Sequence, residues 1–161
     1  MRLATEAAAG GALTELESLL AQFAKETGLA HLAPDENGGC TLLFDDLNVV
    51  DIQPNEPADR VILSATVCEY RPDNELLVLR ELAAANLNAV GTGGAVLAAN
   101  THDRHVLLQY HEPLVGLEWQ RLAHLISRLL DGAEFWRKRL DALSDGLSLP
   151  AAQLPFNVQR A

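Results

Sequence analysis

The residues best placed to do chemistry in this chain of 161 lie in one short stretch, Asn88–Ala98, which reads NAVGTGGAVLA. Three glycines in four positions beside a helix can cradle a phosphate on their main-chain N–H groups. That chemistry needs a lysine followed by serine or threonine, and a loop running from a strand into a helix so that the helix N-terminus faces the anion. Here the glycines lead out of a helical pattern into an apolar, strand-like run, and the stretch has no lysine. The polarity is reversed, so the glycines read as a turn that ends a helix.

The other reactive side chains are scattered. His102, His105 and His111 match no zinc-ligand spacing, and the first two fall in a hairpin turn; His31 and His124 are isolated. No metal site is expected. Asp45 and Asp46 are adjacent on an extended segment, which sends their side chains to opposite faces and keeps them from sharing one substrate as acid and base. Ser64, Ser127, Ser144 and Ser148 lack the G-x-S-x-G setting of an activated serine. Cys40 and Cys68, the only thiols, sit in apolar strand-like runs and read as buried and reduced. An enzyme would have to assemble its site from distant groups such as His105, His111, Asp45 and Glu69. No catalytic residue and no cofactor is assigned.

Composition points the same way. The formal net charge of −10 repels phosphate backbones, and 5% aromatic residues leave little surface for base stacking, which argues against nucleic acid as a partner. Residues 1–80 hold 14 acidic against 5 basic side chains, whereas 81–161 hold 8 against 7. Such an acidic half keeps an apolar-rich protein soluble or steers a basic partner. With 48% hydrophobic residues and mean hydropathy near zero, the chain fits a soluble globular protein, long enough for one well-buried core. Residues 1–11 lack the apolar centre of a secretory signal, and no apolar run is long enough to span a bilayer. The expected location is the cytoplasm.

Eight elements can position these residues. Leu13, Leu16, Leu20 and Phe23 recur at helical spacing, with Gly28 as C-cap. DENGG, at 35–39, is a turn of the kind that joins strands, and CTLLFDD, LNVVDIQP (ended by Pro54) and VILSATVCEY follow as three antiparallel strands. On a second helix, capped by Asp73 or Asn74, residues Leu76, Leu79, Ala83 and Leu87 share a face. AVLAAN and HVLLQYHEP form a second hairpin around THDR. A long final helix follows from Gly116, carrying Leu117, Leu122, Leu125, Ile126, Leu129, Ala133, Trp136, Leu140 and Leu143 for about 28 residues, with Gly132 expected to loosen it midway. The domain is placed at 1–145, and residues 146–161, with Pro150 and Pro155, read as an extended or mobile tail. The second helix also holds more leucine (Leu76, Leu77, Leu79, Leu82, Leu87) than one narrow face can hide, so another chain is expected to cover part of it.

This ordered set, an α+β fold with a five-stranded antiparallel sheet and three helices in the order α-β-β-β-α-β-β-α, resembles the class I type III secretion chaperones, the Tir chaperone family. The resemblance runs over about residues 13–145 and is carried by TGLAHL, DENGGCTLLFD, VILSATV, LRELAAANL followed by GGAVLA, and GLEWQRLAHLISRLLDGAEFWRKRL. It implies a non-enzymatic homodimer in the bacterial cytoplasm, without membrane insertion, that binds the N-terminal segment of one or more secreted effectors in extended form and keeps it soluble and competent for secretion. The alternative is a dimeric adaptor or regulatory domain on the same scaffold, unrelated to secretion. Carried onto this chain, the resemblance implies a dimer interface at Leu79, Leu82, Ala83, Asn86, Val96, Leu97 and Ala98. Effector grooves fall at Leu16, Leu20, Phe23, Leu32, Leu42, Leu43, Phe44, Val49 and Ile52. Alternation lets only half of the strand residues face a groove, and the sequence does not say which half.

Overall fold

The computed structural model describes residues 3–29, 32, 34–44, 48–55, 59–147 and 150–152, with side chains from Glu15 onward. Asp45, Asp46 and His31 lie outside the described residues. The elements are α1 (Leu3–Thr27), β1 (Cys40–Leu43), β2 (Val49–Asn55), β3 (Arg60–Glu69), α2 (Glu75–Asn86), a 3-10 turn (Leu87–Ala89), β4 (Val96–Asn100), β5 (His105–Pro113) and α3 (Trp119–Ser144). The strands form one antiparallel sheet in the order β1-β2-β3-β5-β4, so β1 and β4 are its edges. This is the fold class expected from the sequence. The contacts divide the chain into two compact units.

The first unit comprises residues 1–63 and 111–128. Helix α1 is longer than the leucine pattern alone suggests, because the alanine-rich stretch before Leu13 is itself helical and alanine is the best helix former. Leu16, Leu19, Leu20, Phe23 and Ala24 are buried, and α1 lies against β2. Each large side chain so placed contributes about 1.5–3 kcal/mol. The helix stops where Gly28 takes a φ of 74° and Leu29 N–H donates to Ala24 C=O at 3.0 Å.

The DENGG turn forms, but it joins α1 to β1 rather than two strands. Asp35 Oδ1 accepts from Gly39 N–H at 3.0 Å and Asn37 N–H at 2.8 Å, and these donors hold its carboxyl below the ordinary range. A single register pairs Cys40 with Ile52, Leu42 with Val50 and Leu43 with Val49. It buries Cys40, Leu42, Val50 and Ile52 on one face and leaves Thr41 and Leu43 exposed on the other. Pro54 does not end β2, which runs on to Asn55. Val61 and Leu63 of β3 and Leu122, Leu125 and Ile126 of α3 complete this unit's core. Arg121 bonds Glu112 at 2.9 Å, tying the end of β5 to the start of α3.

The second unit comprises residues 64–110 and 129–161. Its core joins Ala65, Val67 and Tyr70 to Val78, Leu82 and Ala85 of α2, Leu97 of β4, and Val106, Leu108 and Tyr110 of β5. From α3 come Leu129, Ala133, Trp136, Leu140 and Leu143. Gly132 does not loosen α3, which is continuous through it. A Cβ at that position would stand 2.6 Å from Leu108 Cδ2, so the glycine lets the helix approach β5. Asn74 occupies the N-cap position of α2 but makes no capping bond. Its Oδ1 accepts from Arg71 N–H at 3.1 Å and its Nδ2 donates to Ser144 Oγ at 2.7 Å, fixing the start of α2 to the end of α3. In the β4–β5 turn, Asn100 Oδ1 accepts from His102 N–H at 3.1 Å, and Arg104 takes a φ of 55°.

Candidate partner-binding surfaces

The glycine stretch resolves as structure. Helix α2 ends at Asn86, before the glycines rather than at them, because Asn88 and Ala89 already hold positive φ. Gly91 then returns against the helix: a Cβ on it would lie 2.9 Å from Ala85 Cα. Two buried aromatics fix the loop by its carbonyls, Trp136 Nε1 donating to Gly91 at 3.2 Å and Tyr110 Oη to Gly93 at 3.3 Å. A phosphate cradle presents N–H groups, whereas this loop has its oxygens held from below.

The other reactive groups stay apart. His102 and His111 are exposed, and His105 pairs with Asn100 across the β4–β5 ladder. No group of three or more His, Cys, Asp or Glu able to hold a metal occurs among the described residues. Cys40 and Cys68 are free thiols. Burial is the main reason that each is pushed up to about 11, with Asp35 adding to Cys40 and Asp141 to Cys68.

What the chain does present is apolar surface. In the first unit Leu43 and Phe44 are 71% and 47% exposed, at the end of edge strand β1. Phe44 N–H donates to Asn48 C=O at 2.9 Å, so alternation along the hairpin turns the main-chain groups of Thr41 and Leu43 away from β2. Of the other groove residues named above, Leu16, Leu20, Phe23, Leu42 and Ile52 are buried in this unit's core, and Leu32 and Val49 are half-buried. Side chains already packed inside the protomer are not available to a partner without unfolding. Leu29 and Val115, also exposed, escaped the pattern because each stands alone in a turn without periodicity.

In the second unit α2 carries two apolar stripes. Val78, Leu82 and Ala85 face inward, whereas Leu76, Ala83 and Leu87 are exposed and Leu79 is half-buried. The periodic face read from the sequence is thus the outer one. Leu77, Val90 and Val96 are exposed as well, and α2 and edge strand β4 lie against each other. As the leucine count predicts, this chain alone does not hide them. Among the interface residues named above, Leu82 and Leu97 are only 4% and 3% exposed, Asn86 and Ala98 are half-buried, and Ala83 and Val96 are exposed.

An edge strand flanked by exposed apolar side chains is the kind of feature to which an extended polypeptide can add. The family model described as Tir chaperone protein (CesT) family matches residues 18–137. The chain belongs to the Tir chaperone protein (CesT) family.

Solved structures share the fold of this CesT-family chain. The HopA1–SchA chaperone–effector complex contains a chain 18% identical to this one, with a TM-score of 0.66 over 78% of this chain and 95% of that chain. The ExsC–ExsE complex gives 26% identity and a TM-score of 0.66 over 78% and 92%. The Yersinia pestis type III secretion chaperone SycH, in complex with a stable fragment of YscM2, gives 23% and 0.59 over 73% and 96%. No curated protein matches the chain. The CesT match begins at Ser18, inside α1, and stops at Arg137, inside α3. The last turns of α3 and the segment after them lie outside the matched residues.

Proposed function

We propose that this CesT-family chain is a type III secretion chaperone of the bacterial cytoplasm. As a homodimer it holds the N-terminal segment of one or more effectors in extended form, keeping that segment soluble and competent for secretion without catalysing a reaction. The observation that carries the reading is Leu43 and Phe44 standing exposed at the end of edge strand β1. A strand edge offers main-chain hydrogen bonds that ask little of the partner's sequence, while exposed apolar side chains add selectivity. An unfolded leader can satisfy both at once, because its backbone is still unpaired. In the same reading the outer stripe of α2, with Val96, meets its copy in a second protomer. The small Ala83 and Ala98 let backbones approach there. No helix among the described residues is long and apolar enough to cross a membrane, and holding a leader by its edge requires no nucleotide.

The test is co-expression with the N-terminal segments of effectors encoded beside this chain, segments of the kind that order only on binding. Leader and chaperone should co-purify, with the leader protected from protease yet lacking the cooperative melting of a globular domain. Failure to retain any such leader, in a protein that is dimeric and folded, would move the assignment to an adaptor on the same scaffold.

A further inference from the structure

We propose that Pro150–Ala152 forms a releasable strap on α2 that limits the pairing of two copies of this chain. The inference rests on the reading that α2 and β4 form the dimer surface. Its structural basis is Arg139, on the last turns of α3 and beyond the region matched by the family. Arg139 Nε donates to Glu81 Oε1 on α2 at 2.6 Å, and its Nη2 donates to the Pro150 carbonyl, also at 2.6 Å. The guanidinium lies over Trp136, 5.9 Å from the ring centroid, and the Arg139 side chain is only 10% exposed. One planar fork thus clips the returning chain to α2 from a fixed position, a task that a single ammonium cannot do.

The clip is built to open. Glu81 already neutralises Arg139, so releasing Pro150 leaves no unpaired charge behind; water or another carbonyl can take the second N–H. Recognition through a carbonyl makes no demand on the side chain there. Ala151 and Ala152 then line a cavity of about 350 Å³ whose other walls include Ala84, Leu87 and Val90. Leu87, 70% exposed, continues the outer stripe past the end of α2, and Val90, 58% exposed, lies just after the 3-10 turn that follows. A strap seated against these residues occupies space that a second α2 would enter, so pairing requires the strap to lift or shift.

The test uses the full chain with Ala151→Asp and Ala152→Asp together. Both positions are solvent-accessible, and two carboxylates brought into a cavity that Glu81 lines should drive the strap out while the core stays intact. Sedimentation equilibrium should show a dimer about tenfold tighter than the unmodified chain, which is the scale of one hydrogen bond to a charged group, with the same melting temperature. Arg139→Lys, which keeps the charge beside Glu81 but loses the fork, should move the constant in the same direction. An unchanged or weakened dimer in the double variant overturns the strap and leaves the dimer reading standing. If both proteins remain monomeric at every concentration, the dimer reading fails and the strap's role fails with it.

Discussion

Asn86 holds both main-chain polar groups of Leu97. Its Nδ2 donates to Leu97 C=O at 2.8 Å and its Oδ1 accepts from Leu97 N–H at 2.9 Å, so one side-chain amide acts as a one-residue strand along the outer side of β4. Edge strands invite pairing with other chains, and this contact governs how much of the β4 edge is on offer. Asn86→Ala should cost about 1–3 kcal/mol in chemical denaturation, because the two groups of a nearly buried Leu97 lose their partners. It should also raise the tendency to associate at low denaturant, seen by light scattering.

Leu82 and Val96 separate folding from pairing. Leu82→Asp puts a carboxylate into the second unit's core and should unfold the chain, at a loss of more than about 4 kcal/mol. Val96→Asp and Leu87→Asp alter exposed positions and should leave the melting temperature within a few degrees, while weakening the dimer in sedimentation. A dimer indifferent to both exposed changes does not use the α2–β4 surface.

On the first unit, Leu43→Asp and Phe44→Asp should lower affinity for an effector leader by tenfold or so each, as loss of one apolar anchor does, with stability unchanged. Leu42→Asp, one residue away, should instead destabilise the fold, since Leu42 points inward. Isothermal titration alongside thermal melts distinguishes the two outcomes. Equal leader binding by all four proteins would remove β1 from the site.

Gly91→Ala should be worse than Gly132→Ala. At Gly91 the added methyl meets Ala85 backbone 2.9 Å away, which cannot move without distorting α2. At Gly132 it meets the end of the Leu108 side chain, which can rotate, so overpacking of about 1–3 kcal/mol is partly offset by about 1 kcal/mol of better helix propensity. Urea midpoints rank the two variants.

Cys40 and Cys68 give the pH dependence. Each thiol rises from an ordinary 9.0 to about 11 on folding, mainly through burial. Above pH 9 the unfolded chain releases these protons first. Their contribution to stability is therefore complete below that pH and is lost as pH climbs through about 11. Alkylation by iodoacetamide should be slow at pH 8 and approach the rate of a free thiol only in denaturant. Rapid modification of the folded protein at pH 8 would show that the strands open.

The element order, the turn chemistry and the inward face of α3 were legible in the sequence, because they rest on local signals. Apolar residues at i, i+3, i+4 and i+7, the DENGG and THDR turns, and β-branched runs each act over a few neighbours. Gly132 was misjudged, and the partners of Asn74, which does stand at the N-cap position, were not legible, for the opposite reason. Gly132 is set by Leu108, 24 positions away, and Asn74 by Ser144, 70 away, so propensity at the residue itself says nothing of either.

The sequence by itself determined that this chain carries more apolar surface than reactive groups, and that α2 has an apolar stripe to spare. It could not determine which stripe faces inward, because Val78–Leu82–Ala85 and Leu76–Ala83–Leu87 are both apolar at helical spacing. Only the tertiary structure decided, by packing the first against the core and leaving the second outside. The same holds for β1, where the register with β2 sends Leu42 inward and Leu43 outward. Periodicity fixes which residues share a face, but the long-range contacts that choose between two faces are made only when the chain closes on itself.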